Sequence, residues 1–221
     1  MILELALAAM LGLWQGAERN DQPLASATEP AYLSCSVWNG HKWSKPATRS
    51  ARTATLESPK GFRAYAEVVA TFTGASCENT TKLYVSSGED QSFRVVYTKG
   101  PSDSGGNGIR LMGWSPNGDK LLAQINTWEY ETDLGYGRLG LIYDAVGGSA
   151  HELEELNAAL SRHFGKDCEF DVSLQGWTTE EKLRVKIFKT PETEEYEQRF
   201  CVTEPRLLVF DIRKRSIDTA P

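Results

Sequence analysis

From residue 62 onward, short apolar runs alternate with clusters of turn-forming residues. Across residues 62–73, Phe62, Ala64, Ala66, Val68 and Ala70 fall on one side of an extended chain, and Arg63, Tyr65 and Glu67 on the other. That two-residue period is the mark of a half-buried strand. Further strands are expected at 82–86, 92–98, 109–114, 120–127, 139–143, 170–174, 183–188, 197–202 and 207–212. Turn chemistry separates them, as in Ser87-Gly88-Glu89-Asp90 and Ser115-Pro116-Asn117-Gly118-Asp119. Short strands bounded this way predict antiparallel sheets rather than βαβ units.

One segment changes period. In residues 149–164, Leu153, Leu156, Ala159 and Leu160 recur at helical spacing. Ser149 stands three residues before Glu152 in a capping-box pattern, and Gly165 suits a helix stop. The expected fold is therefore mainly β, with antiparallel sheets in two or three units and one helix near 149–164. Residues 31–213 form one β-rich domain, and the polar residues 214–221 read as a flexible tail.

The 221-residue chain is acidic, with a formal charge of −6, and has the aromatic content of a folded protein. The sequence holds no Lys/Arg-rich block to supply phosphate contacts, so nucleic acid is not an expected partner. The evenly spaced Lys45, Arg49, Arg52, Lys60 and Arg63 read as a solvated face. The apolar run from Met1 to Trp14 is too short to span a bilayer, and no transmembrane span is expected. With Gly16 and Ala17 following, residues 1–17 read as a signal peptide, although Glu4 stands where a basic residue is usual. Residues 18–30 then read as a linker.

Four cysteines, Cys35, Cys77, Cys168 and Cys201, lack the Cys-x-x-Cys spacing of redox pairs and zinc knuckles. Three pairings are open. Cys35–Cys77 and Cys168–Cys201 are expected, because each pair brackets one local sheet unit. Disulfides need an oxidising compartment, which agrees with a periplasmic or secreted location.

Ile109 to Ile125 reads IRLMGWSPNGDKLLAQI and is followed by GLIYDAVGG at 140–148. These segments resemble the TolB-like, WD40-like β-propeller repeat. Its Trp-ended strand, Ser-Pro-Asn/Asp-Gly turn and following strand match Ser115, Pro116, Asn117, Gly118, Lys120, Leu121 and Ala123. Its aromatic-Asp ending and Gly-Gly turn match Tyr143, Asp144, Gly147 and Gly148. Fainter copies begin at Ser58-Pro59-Lys60-Gly61 and at Gly176-Trp177, and residues 207–211 echo 139–144. The resemblance implies a protein-interaction scaffold. A closed propeller needs at least four blades and this chain has room for three at most. An open array, a sandwich-like body and a purely local likeness all remain open.

Familiar catalytic chemistry is hard to assemble. Ser104 in Asp103-Ser104-Gly105-Gly106 lacks the surroundings of a protease nucleophile. His41, His151 and His163 form no zinc motif, and no regular oxygen-ligand loop surrounds Asp133, Asp144 and Asp171. No nucleotide motif is present, so neither metal nor cofactor is expected.

The 128–138 loop carries Trp128, Glu129, Tyr130, Tyr136 and Arg138, a set suited to binding a protein or a glycan. The expected function is an exported binding or protein-interaction module. The alternative is a glycoside-directed hydrolase using Glu129, Glu131 and Asp133 of the same loop. Exposed sheet edges need cover, and a second copy of the chain is one way to supply it.

Overall fold

A computed structural model of the chain describes residues 33, 35, 37–38, 43–44, 48–74, 76–87, 92–101, 105–129, 137–166, 168–189 and 202–219. The leader and linker, His41, Ser104, the 130–136 stretch and Cys201 lie outside the described residues. So does the strand expected at 197–202, apart from Val202. Within the described residues the fold is mainly β, with one helix and three larger antiparallel sheets, none closed into a barrel.

A small hairpin pairs β1 (Val37–Trp38) with β2 (Trp43–Ser44). The first large sheet holds β3 (Thr48–Arg52), β4 (Leu56–Glu57), β5 (Arg63–Phe72), β6 (Cys77–Ser86) and β7 (Arg94–Lys99). Its order is β3-β5-β6-β7, with β4 also on β5. The second sheet runs β8 (Gly105–Trp114), β9 (Lys120–Glu129), β10 (Gly137–Asp144) and β11 (Ser149–Glu152) as a meander. Helix α1 (Glu154–Phe164) follows. The third sheet is a second meander of β12 (Asp171–Thr179), β13 (Lys182–Phe188), β14 (Arg206–Asp211) and β15 (Ser216–Thr219).

Strand alternation decides which faces meet. In the first sheet Ala64, Ala66, Val68 and Ala70 of β5 and Leu83 and Val85 of β6 point inward. They pack with Ile109, Leu111, Leu121, Ala123, Ile125, Leu141 and Tyr143 of the second sheet. The opposite face of the second sheet contributes Leu122 and Ile142 to another core, shared with α1 and with Leu183, Val185, Ile187 and Phe210 of the third sheet. Each fully buried aliphatic side chain contributes about 1.5–3 kcal/mol. The second sheet is thus covered on both faces, which explains the unbroken buried run Leu121 to Ile125 in β9.

The Ser-Pro turns have a common geometry. Gly61 N–H donates to the Ser58 carbonyl at 2.9 Å, and Gly118 N–H to the Ser115 carbonyl at 2.8 Å. The serine hydroxyls accept from the far side of each turn, at 3.1 Å from Phe62 N–H and 2.9 Å from Lys120 N–H. Gly113 and Gly176 each sit at a register shift, with φ of 119° and 120°. No neighbouring atom crowds a Cβ at either position, so the demand for glycine there is one of backbone conformation.

Trp114 and Trp177 come next in the chain and reach back to the preceding sheet. The Trp114 indole donates to the Leu56 carbonyl at 3.5 Å, and that of Trp177 to the Gly113 carbonyl at 3.0 Å. Both acceptors stand two residues before the turn serine. Lys60 pairs with Asp119 at 2.6 Å and Lys120 with Glu181 at 3.2 Å, joining the same turns.

A buried polar cluster ties the first two sheets. Asn107 of β8 donates to the carbonyls of Asn79 (3.0 Å) and Gly100 (2.8 Å) and accepts from the Thr81 hydroxyl. Asn79 in turn donates to the Leu33 carbonyl at 2.8 Å. Every link is made, so the cluster fixes the sheet packing without an unpaired polar group in this set.

Two expectations are corrected. Residues 149–152 are not the first turn of the helix. They form β11, paired with β10 from Asp144↔Ser149 to Leu141↔Glu152. The Asp144 carboxylate accepts from Val146 and Gly147 N–H at 2.8 and 3.0 Å, closing a turn that sends the chain back as a strand. Glu152 accepts from the Tyr97 hydroxyl at 2.6 Å and pairs with Lys99 at 3.3 Å, which takes it away from any capping role. The helix starts at Glu154 after Leu153 and stops at Gly165 as expected. Residues 214–221 are not simply a tail, because Ser216–Thr219 pair with β14 and Ile217 packs on the second core.

Cys35 and Cys77 are joined by a disulfide, 42 residues apart in sequence. Cys168 is also disulfide-bonded; its expected partner, Cys201, lies outside the described residues. Replacing Cys35 and Cys77 together by Ser should lower unfolding free energy by about 2–4 kcal/mol, read by urea denaturation. An unchanged midpoint would show that the cross-link does not constrain the unfolded chain.

A pH effect follows from Tyr97. Burial, aided by the hydrogen bond to Glu152, raises its phenol above the ordinary value of 10.0. The fold therefore favours the neutral ring. That stabilisation is intact below pH 10 and is lost as pH rises from there toward the folded value. Tyr97→Phe should lose less stability than wild type across this window, measured by chemical denaturation below and above pH 10.

Candidate binding surfaces

Of the expected 128–138 site, Trp128, Glu129 and Arg138 are described, at one end of the second sheet. Pairing of Gly106↔Trp128 and Asn126↔Arg138 puts Trp128 and Arg138 on one face, the side turned toward the third sheet. Trp128 is half-buried, its indole lying so close over Gly106 that a methyl group there would overlap the ring. Glu129 is exposed opposite Gly105. Tyr130, Glu131, Asp133 and Tyr136 lie outside the described residues.

Arg138 bridges sheets: its guanidinium stands 3.1 Å from Asp171 and 5.3 Å from the centre of the Phe188 ring. It also borders a cleft of about 240 Å³ with Asn157, Ser161 and Phe170. The donor expected to face a ligand is thus held by the third sheet.

The other candidate ligands have structural surroundings. Asp144 closes a turn and Asp171 pairs with Arg138. His151 is exposed on β11, and the exposed His163 packs edge-on against Phe164 at 4.6 Å. Among the described residues, no group of three His, Cys, Asp or Glu side chains is placed to hold a metal ion. Among them, too, no helix is long and apolar enough to cross a membrane.

A second surface lies on the outer face of the first sheet. Strand parity turns Arg63, Tyr65 and Glu67 of β5 away from the core, and brings Arg52, Lys82 and Tyr84 to the same side through Arg52↔Glu67, Glu67↔Lys82 and Tyr65↔Tyr84. Tyr65 is the centre of this group. The Arg52 guanidinium sits 3.4 Å from its ring centre. The Tyr84 ring stacks on it at 4.6 Å and 10°. Because β3 and β6 flank β5, the two cover opposite faces of the Tyr65 ring. Phe93 meets Tyr65 edge-on at 4.8 Å, and Arg63 lies 5.4 Å over Phe93.

The Tyr84 hydroxyl donates to Glu67 at 3.3 Å, and burial, followed by the nearby carboxylate, raises its pKa. Arg52 makes one hydrogen bond, to Thr55 at 3.3 Å. Ion pairs on described residues elsewhere neutralise Lys60, Lys99, Lys120 and Lys182. Arg52, Arg63 and Lys82 close no ion pair among the described residues, but Glu67 stands opposite Arg52 and Lys82 and Glu57 opposite Arg63, so the face carries its own carboxylates.

The outer face of the third sheet differs. Arg184 and Lys186 are exposed between the buried Leu183, Val185 and Ile187. A groove of about 620 Å³ runs past Arg184, Leu207 and Val209, with Lys182 held by Asp211 and Asp218. Among the described residues it has an apolar floor and charge, but no aromatic side chain lines it.

Reading the sequence alone missed the Tyr65 cluster. Alternation did place Arg63, Tyr65 and Glu67 together, and the basic spacing around Arg52 was visible. What joined them to Tyr84 and Phe93 was strand register, which single segments do not encode. No family model matches the chain, and no curated protein or solved structure matches it.

Gly106→Ala should displace the Trp128 ring while the core stays intact. The expected readout is a shifted near-ultraviolet dichroism band with unchanged far-ultraviolet signal. An unchanged near-ultraviolet band would show that the indole does not depend on that contact.

Proposed function

We propose that the chain is an exported protein-interaction module, a short stack of blade-like sheets akin to TolB/WD40-like repeats, that holds its partner on the outer face of the first sheet. The observation that carries this reading is the Arg52–Tyr65–Tyr84–Phe93–Arg63 cluster on a face that no other described element covers. Arg and Tyr anchors that support one another are the composition of interface hot spots. Rings stacked in advance lose little further freedom on binding.

Two further features favour the blade-like reading. The Ser58 and Ser115 turns share their hydrogen bonds, and Trp114 and Trp177 reach equivalent carbonyls of the sheet before. The Cys35–Cys77 disulfide fits an oxidising compartment and so favours export.

Affinity capture from a native extract, followed by mass spectrometry, tests the reading. The wild-type chain should retain a saturable protein partner. Tyr65→Ala with Tyr84→Ala should reduce capture by about tenfold or more, with far-ultraviolet dichroism unchanged. A saturable partner held equally well by that variant would move the site elsewhere. The absence of any partner, together with sugar-polymer turnover lost on Glu129→Gln, would overturn the reading.

A further inference from the structure

The outer face of the third sheet carries a charge pattern complementary to itself, and from it we infer that this face pairs with the same face of a second copy of the chain. Strand parity sends Leu208 and Phe210 of β14 to the core and leaves Leu207 and Val209 on the other side. The same side receives Lys182, Arg184 and Lys186 from β13 and Asp218 from β15. Three columns result: cations along β13, aliphatic side chains along the middle strand β14, and a carboxylate on β15. Register puts one member of each in a single row, Arg184↔Val209↔Asp218.

The charges on this face are only partly answered within one chain. Across from the β13 cations, β12 offers Ser173, Gly176 and Thr179, none of them acidic. Asp211 on β14 is buried, accepts from the Lys214 N–H at 2.9 Å, and draws Lys182 and Lys214 at 4.0 and 3.9 Å. Asp218 is half-exposed, and Lys182 approaches its Oδ2 at 3.7 Å, which leaves Oδ1 to accept from elsewhere. Glu181, in the turn before β13, is taken by Lys120 of the second sheet. Glu180, Arg213 and Arg215 stand in turns at one end and Glu204 ahead of β14 at the other, outside the three columns. Arg184 and Lys186 are exposed and close no ion pair among the described residues. Arg184 and Asp218 are two strands apart, about 10 Å, so they do not meet within one chain.

A two-fold axis lying along β14 in the plane of contact brings them together. It turns the β13 column of one copy over the β15 column of the other and preserves each row. Arg184 then faces the second copy's Asp218, Asp218 faces the second copy's Arg184, and Leu207 and Val209 face their own counterparts. Packed sheets lie about 10 Å apart, a gap that an arginine and an aspartate span from opposite sides. Leu207 is 49% exposed, and the groove of about 620 Å³ beside it gives the opposing aliphatic side chains room to enter. Such an interface is isologous and closes at two copies.

A head-to-tail stack, with the first sheet of one copy on the third sheet of the next, fits less well. Within the chain each following sheet sends a Trp, placed just before the turn residue Ser115 or Thr178, to a carbonyl of the sheet before it. The matching position ahead of Ser58 is Glu57, which has no indole N–H to donate. The third-sheet face is also small. Three strand gaps by some six residues cover roughly 15 Å by 20 Å, the scale of weak interfaces. Pairing there leaves both Tyr65 clusters on the far sides of the dimer, where they can engage a repeated or bivalent partner together. The pairing itself does not depend on the partner proposed for that cluster.

Sedimentation velocity on the full chain, from about 10 μM to 1 mM, tests the pairing over the range expected of so small an interface. Mass should rise with concentration from monomer to dimer and stop there, and added salt should weaken the association. Arg184→Asp and Asp218→Arg should each weaken it about tenfold by setting like charges face to face. The two changes combined should recover most of it, because the opposed signs are restored. Leu207→Ser, at a half-exposed side chain, should weaken it with far-ultraviolet dichroism and the urea midpoint unchanged. A chain that stays monomeric throughout overturns the inference. So does growth past the dimer, which marks a head-to-tail stack, or a combined variant no stronger than either single one while its dichroism remains that of the wild type. Should the charge variants prove unfolded, an unweakened dimer with Leu207→Ser overturns it alone.

Discussion

The two-sided burial of the second sheet is the constraint on which the rest of the structure depends. Its strands give one set of side chains to the first sheet and the other set to α1 and the third sheet. Neither neighbour has another apolar surface of comparable extent. Removing the second sheet would leave Ala64, Ala66 and Val68 facing water on one side and Val185, Ile187 and Phe210 on the other. The buried run Leu121 to Ile125 follows from this position. So does the placement of the Asn107 network, which anchors the edge where β8 crosses the first sheet. A fully satisfied polar cluster in such a layer favours one packing arrangement over slipped ones.

Layering is also regulated at the turns. A serine turn, a bulge at glycine and a following Trp appear in one hairpin, and the last two recur in the next. The bulge strengthens local twist and re-aims the strand end, so the indole meets the carbonyl of the preceding sheet. The Lys60–Asp119 and Lys120–Glu181 pairs lie on the half-exposed rim, where each is worth about 1 kcal/mol or less. Their role is orientation more than stability. The apolar faces supply most of the free energy, and the polar rim selects the angle at which they meet.

A stack with two ends must leave two outer faces. Here neither end repeats the Ala, Leu and Val composition of the buried faces. Arg184 and Lys186 mark one end, and the Tyr65 cluster the other. Charge on an end face discourages indefinite stacking of further sheets. The Tyr65 end goes beyond discouragement, because its cations are held in fixed positions by rings. Trp128 and Arg138 are placed otherwise, Trp128 packed on Gly106 and Arg138 paired with Asp171 across the joint between the second and third sheets.

How much was legible in the sequence depended on the range of the deciding interaction. Local signals determined parts of the longer strands of the three sheets, the helix stop at Gly165 and the two Ser-Pro turns, because alternation, glycine conformation and turn hydrogen bonds act within a few residues; the short strands Thr48–Arg52 and Leu56–Glu57 carried no such signal. Ser149 and Glu152 show the limit. Their spacing satisfies a capping box, yet pairing with β10 and the pull of Tyr97 and Lys99 make them a strand. Ser216–Thr219 looked like a polar tail until β14 supplied an edge to pair with. Arg138 read as part of a binding loop, and its pairing with Asp171 escaped that reading because the partner is distant in sequence. Tertiary structure alone decided the Tyr65 cluster: register brings residues from separate strands onto one face, and no segment carries the information about which strand will lie beside it.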